Sequence, residues 1–280
     1  TADHPEWGTL VAGRRAAGWL RLPILCAIAL AALLTAAAVE AQIPAMPGDR
    51  LAGLQWTFAR VKYTASYERL GAGRPRMSFW DDPWAIDAPA AEQNLSRRIR
   101  SVTAIQVGEP VVIELTDERL WQFPWLYLVE PSNLDLQPNE IPVLREFLLR
   151  GGTLTFDDFH GPYEWELTVQ QMSKVFPDRE IVELTPSHPI FSAFYQLEKY
   201  PQIPGLGSFF SGRTWEKGGF QPHLRAILDD EGRPMVLFNW NTDMGDGVEW
   251  SNAEEYPGYL RWTALAYQML INEVVYSLTH

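Results

Sequence analysis

The sequence predicts an α/β domain built on a doubly wound, mainly parallel sheet and preceded by one transmembrane helix. Three observations carry this. Between residues 125 and 184 the pattern runs strand, helix, strand, helix, strand, as expected of parallel strands joined by crossover helices. Gly151-Gly152 ends a helix and opens a strand that delivers Asp157, Asp158 and His160 to its carboxyl end. In open α/β sheets that edge forms the ligand crevice. Finally, Leu22 to Val39 is an 18-residue stretch without a charge, long enough to cross a bilayer as a helix.

In chain order, residues 1–21 are expected to be a cytoplasmic segment, 22–39 a transmembrane helix, 40–54 a linker and 55–280 a periplasmic domain. Arg14, Arg15 and Arg21 precede the apolar run and Glu40 follows it. The positive-inside rule then gives a single-pass protein of the bacterial inner membrane with its N-terminus in the cytoplasm. Trp19 stands where an interfacial aromatic belongs, and Pro23 falls in the first turn, where a missing N–H costs little. A cleavable signal peptide is the competing reading, since Val39-Glu40-Ala41 fits a small-x-small site before Gln42. An uncleaved anchor is the expectation. Pro44, Pro47, Gly48 and Gly53 mark the linker.

Composition removes several functional classes. A hydrophobic content of 46% with 21% charged residues is globular. The net charge of −12 belongs to the part after residue 41, and an acidic domain repels phosphate backbones, so no nucleic acid is expected as a partner. Cys26, the only cysteine, lies in the apolar segment. The domain therefore has no disulfide, no thiolate metal site and no cysteine nucleophile.

Trp56 to Tyr63 alternates and is rich in β-branched and aromatic residues, which predicts a first strand. A glycine-rich turn at Gly71 to Pro75 and the segment Trp80-Asp-Asp-Pro-Trp84 follow. Pro89 opens a helix to about Arg100 with Leu95 and Ile99 inward. Val102 to Ile105 and Val111 to Leu115 read as short strands, and Asp117 to Trp121 as one helical turn. Trp125 to Val129 is continuously apolar, as in a strand covered on both faces. Pro138 to Arg150 is a helix stopped by two glycines, Thr153 to Phe156 a strand, Tyr163 to Phe176 a helix and Ile181 to Leu184 a strand. Thr185 to Gly219, with its many prolines and glycines, reads as a long ordered loop of the kind that carries function. Leu224 to Leu228 and Pro234 to Trp240 pair across a turn. Glu254 to about Leu278 closes the chain as a helix with Leu260, Ala264, Tyr267, Ile271 and Val274 inward.

The order of Leu-Tyr-Leu, a proline-started helix, Leu144-Arg-Glu-Phe-Leu-Leu-Arg-Gly-Gly-Thr-Leu154, Asp157-Asp158, Ser187-His-Pro-Ile190, Asn241-Thr-Asp243-Met-Gly-Asp246 and Asn272-Glu-Val-Val-Tyr276 resembles the DUF4159 family. The resemblance covers about residues 54–280 and rests on several short motifs. It implies a flavodoxin-like fold similar to class I glutamine amidotransferases, and it supplies no activity. Relatives with glutaminase activity place a cysteine at a strand-to-helix elbow. Here Asp158 or its neighbours stand there, so glutaminase activity is excluded.

Asp157, Asp158, His160 and His188 are the candidate ligand crevice. Successive strand residues point to opposite faces, so at most one carboxylate faces the crevice while the other is free to cap the next helix. Metal or hydroxyl binding with His160 as ligand or base stands against a structural cap beside a loop histidine, and the structural version is expected. Asn241, Asp243, Asp246 and Glu249 offer oxygen ligands at short spacing but depart from the EF-hand pattern, so a metal-free turn is expected. No catalytic residue is assigned and no cofactor expected: Ser-His-Asp order, HExxH, a Walker loop and GxGxxG are all missing. Twelve tryptophans is many for this length; Trp80, Trp84, Trp215 and Trp250 in irregular segments are candidate interface anchors.

These readings converge on a noncatalytic accessory or scaffold subunit, held in the bilayer through residues 22–39 and docked on other subunits of a larger membrane complex. A photosynthetic reaction-centre–antenna complex is one specific expectation. The rival is a periplasmic enzyme or glycan-binding domain using the Asp157/His160 crevice, with or without a divalent metal.

Overall fold

Strand β5 (Trp125–Val129) has every residue buried, and its side chains divide strictly between two cores. Trp125, Tyr127 and Val129 enter one core while Leu126 and Leu128 enter the other. That division requires a layer of structure on each face of the sheet. Burying each aliphatic side chain contributes about 1.5–3 kcal/mol. In the computed structural model, which describes residues 50–66, 82–252 and 254–280, the layers are helical. Helices α1 (Ala90–Val102) and α6 (Leu260–Thr279) cover the first face; α2 (Glu140–Leu149) and α3 (Gly161–Val175) cover the second.

The other strands are β1 (Gln55–Trp56), β2 (Ala59–Val61), β3 (Gln106–Val107), β4 (Val111–Ile113), β6 (Thr153–Phe159), β7 (Ile181–Glu183), β8 (His223–Leu228) and β9 (Pro234–Trp240). Seven of the nine strands among the described residues form one sheet in the order β4-β2-β5-β6-β9-β8-β7, and β1 pairs with β3 separately. The first five are mutually parallel; β8 runs antiparallel to both β9 and β7. The fold is thus mixed α/β with a mostly parallel central sheet.

The two glycines end α2 as anticipated. Gly151 takes φ 108°, its N–H donates to Leu148 O at 3.3 Å, and the Gly152 N–H donates to Phe147 O at 3.0 Å. These are the paired bonds of a Schellman stop. A Cβ on Gly152 would overlap the Phe147 ring.

Four expectations need correction. The first strand is split, because the chain exchanges β3 for β4 and β5 as partners between Trp56 and Ala59. Val102 to Ile105 is not a strand: α1 continues through Val102, and the Thr103 N–H still donates to Ile99 O at 3.0 Å. The last helix begins at Leu260 and not at Glu254, since Pro257-Gly258 opposes an earlier start. Of the residues expected inward, Ile271 and Val274 are buried and Tyr267 half-buried, but Leu260 and Ala264 are exposed, and Thr263, Ala266, Leu270 and Glu273 join the buried face. A register judged on apolar residues alone misses a face that contains Asn272 and Glu273.

Among the described residues no helix is long and apolar enough to cross a membrane. The expected anchor, residues 22–39, lies outside the described residues, as do Trp80 and the turn at Gly71 to Pro75.

Candidate functional site

Five non-glycine residues take a left-handed conformation among the described residues: Asp87 (φ 66°), Glu130 (48°), Asp158 (53°), Lys217 (47°) and Asn241 (63°). Glu130, Asp158 and Asn241 stand at the carboxyl ends of β5, β6 and β9, and Asp87 and Lys217 belong to segments packed on those ends. Such conformations cost of order 1 kcal/mol or more each and persist where the surroundings impose them.

Each strand end contributes a defined contact. Arg60 on β2 is fully buried; its Nε meets Glu92, and its Nη1 donates to Trp84 O (3.1 Å) and Ile86 O (2.9 Å). Arg60 thereby fixes the loop that carries Asp87. Tyr63, just beyond β2, donates to Val129 O (3.1 Å) and Glu130 O (3.0 Å) and ties that end to β5. On β6, Asp157 is completely enclosed. It accepts from Tyr127 Oη (2.6 Å) and from the N–H groups of Met244 (3.2 Å) and Gly245 (2.7 Å) in helix α5 (Met244–Glu249).

Asp158 follows in the left-handed turn, where the register between β6 and β9 shifts. The shift returns Phe159 to the same core as Phe156, and the Asp158 Oδ1 lies 3.1 Å from His160 Nε2. The His160 N–H donates to Glu164 Oε2 (2.6 Å), and Glu164 Oε1 meets Lys217 Nζ at 2.8 Å. Asn241 accepts from the Gly161 N–H (2.8 Å) and donates to Gln221 O (2.6 Å), which fastens the loop before β8 to the start of α3. Asp243 caps α5 by accepting from the Asp246 N–H at 2.7 Å. Asp246 in turn accepts from the Leu206 N–H (2.5 Å) and Trp250 Nε1 (2.8 Å).

The model of a domain of unknown function, DUF4159, matches residues 57–278. The chain belongs to the DUF4159 family. No protein of curated function matches it.

The electrostatics of this DUF4159 crevice follow from crowding carboxylates where water is scarce. Burial pushes Asp157 up to about 7, against the lowering effect of the Tyr127 hydrogen bond. Burial and then the charge of Asp158 raise Glu130 to about 8. Burial and then Asp246 raise Glu249 to about 7. Asp87 and Asp243 are displaced upward for the same reasons, burial first and neighbouring carboxylates second. For His160 burial acts downward, but the hydrogen bond and charge of Asp158 outweigh it and the net direction is up.

The predicted crevice residues Asp157, Asp158 and His160 are brought together at the carboxyl edge. His188 is not among them: it caps a short 3-10 turn, its Nδ1 accepting from the Ile190 N–H at 3.3 Å, and its ring packs on Tyr276 near the end of α6. Of the weak metal candidates, Asn241 is spent on loop bonds and Asp243 on a cap, while Asp246 and Glu249 approach Asp87. Trp84 is 2% exposed and belongs to the core, so it is no surface anchor. Trp250 braces Asp246, and Trp215 packs on Phe220 at 4.5 Å between centroids.

Sequence reading missed Asp87, Glu130, Glu164, Lys217 and Glu216, whose Oε1 accepts from Ser208 Oγ at 2.9 Å and lies against Gly205 beside Asp243 and Asp246. Glu130-Pro131 directly after a buried strand was a usable signal. Nothing in the linear pattern marks the others.

Proposed function

We propose that this chain is a noncatalytic accessory subunit, anchored through residues 22–39 with its domain in the periplasm, that docks on a larger membrane complex through the carboxyl-end crevice. The supporting observation is the make-up of the mouth. Half-buried Glu130, Asp158, Glu164, Glu216, Asp246 and Glu249 line it, opposed by Lys217. Exposed aromatics stand beside it: Tyr163 (67%), Phe210 (66%) and Phe220 (59%). Each is tied to the mouth through near neighbours. Tyr163 follows Gly161, Phe220 follows Gly219 against Asn241, and Phe210 ends helix α4 (Leu206–Phe210), whose first N–H bonds Asp246. An acidic recess with an aromatic rim fits a partner surface that presents Arg or Lys side chains.

The groups that chemistry would use are withdrawn from solvent. Asp157 is consumed by three donors, and His160 is 1% exposed. The five parallel strands, numbered in chain order, are arranged 2-1-3-4-5, which supports a flavodoxin-like and glutamine amidotransferase-like reading. On that reading the nucleophile position is occupied by Asp158 in its left-handed turn.

The test is extraction of the full chain in mild detergent followed by mass analysis of what elutes with it. Co-eluting subunits that are lost in Tyr163→Ala and Asp158→Asn, and weakened by salt, support docking. Elution alone at monomer mass contradicts it. One contact favours a second reading, acid–base catalysis: the Asp158–His160 pair at 3.1 Å. That reading requires a turnover that His160→Asn abolishes.

A further inference from the structure

We propose that Asp87, Asp246 and Glu249 hold a hard divalent cation, a site that stands whether or not the crevice docks a partner. One carboxylate oxygen from each of the three lies within 4.8 Å of those from the other two. Oxygens so spaced can meet one ion at the roughly 2.1–2.6 Å typical of Mg²⁺, Mn²⁺ or Ca²⁺, and an all-carboxylate donor set selects these ions over softer ones. Asp246 and Glu249 are three residues apart on α5 and so share a helix face.

The second observation is independent of the cluster. Asp87 is 8% exposed, and its Oδ2 is enclosed without a hydrogen-bond partner. A buried carboxylate oxygen left so is costly, and a bound cation would satisfy it. Its position is also enforced. Arg60 bonds the carbonyls of Trp84 and Ile86 just before it, and the residue it stands against is Gly245, where a Cβ would overlap Asp87 Oδ2. The Arg60 charge favours the ionised forms of Asp87 and Glu249 through space, while its own hydrogen bonds go to Glu92 and to the Trp84 and Ile86 carbonyls. The Leu206 N–H and Trp250 Nε1 aim the Asp246 carboxylate, as outer partners of metal ligands do. The ion would join the loop after β2 to helix α5, and its remaining positions would be open to water or to a partner's oxygen.

The test is thermal denaturation of the full chain in detergent, first in EDTA and then with CaCl2, MgCl2 or MnCl2 alone, each up to about 10 mM, ten times the weakest calcium-module dissociation constants. The wild type should show a saturable rise with at least one ion, about 5–10 °C at a hundredfold excess over Kd. Asp87→Asn and Glu249→Gln preserve shape and remove repulsion. Each should melt at or above the ion-free wild type and lose at least tenfold in apparent affinity. A flat wild-type response to all three ions, or an undiminished response in both variants, overturns the proposal.

Discussion

Glu273→Gln is expected to flatten the fall in stability that the wild type shows as pH rises from about 5.5 to 7.5. Glu273 lies fully buried between α6 and the central strands. Its Oε2 accepts from Thr155 Oγ1 at 3.0 Å, and that hydroxyl accepts from Trp125 Nε1 at 2.9 Å. Burial is the main cause that raises it to about 8 from an ordinary 4.5, with the Thr155 hydrogen bond acting the other way. The folded state therefore keeps the proton over a range in which the unfolded chain releases it. The associated stability is complete below about pH 4.5 and is lost as pH climbs through about 8. A separation of about 3.5 pH units at about 1.4 kcal/mol per unit amounts to about 5 kcal/mol. Glutamine keeps the volume and an oxygen for Thr155 but cannot ionise. In urea titrations of the full chain in detergent, its stability relative to wild type should grow by about 1.4 kcal/mol per pH unit, about 3 kcal/mol across the window. Parallel pH profiles for the two proteins would refute the reasoning.

Arg60→Met should destabilise by about 3–5 kcal/mol, because it strands the Glu92 carboxylate in the core; urea midpoints measure the loss, and adding Glu92→Gln should recover part of it. Gly245→Ala should cost about 1–3 kcal/mol through overlap with Asp87 Oδ2, whereas Gly207→Ala, where a Cβ meets nothing within 4 Å, should change the melting temperature little. Asn272→Ala removes an acceptor for the Phe194 and Tyr195 N–H groups (3.0 and 2.7 Å) and a donor to Tyr195 O (2.8 Å). It should cost about 1–3 kcal/mol and speed amide exchange at those two residues before the rest of the domain.

The alternating core was legible because its signals are local. The apolar run of β5, the Schellman glycines and the crossover spacing are each written within a dozen residues. The carboxyl edge was legible for the same reason: Asp157, Asp158 and His160 follow directly from a readable strand. Their division of labour was only half visible. The cap formed by Asp157 serves α5, nearly ninety residues away in sequence, and not the next helix. Asp87, Lys217 and Glu216 reach the crevice from irregular segments through long-range packing, which no periodicity records. Burial of Asn272 and Glu273 runs against hydropathy; the inferred face of α6 holds at Ile271 and Val274 but fails at Leu260 and Ala264.

The most direct test of a docking crevice is site-specific photo-crosslinking in native membranes, with a photoreactive phenylalanine analogue at position 163 or 220 on the rim and at 121 on the opposite edge of the sheet, where Trp121 is 48% exposed. Adducts with another membrane-complex subunit from positions 163 and 220, and none from 121, are the predicted result. Rim positions that yield no adduct, or adducts from 121 alone, would contradict the account.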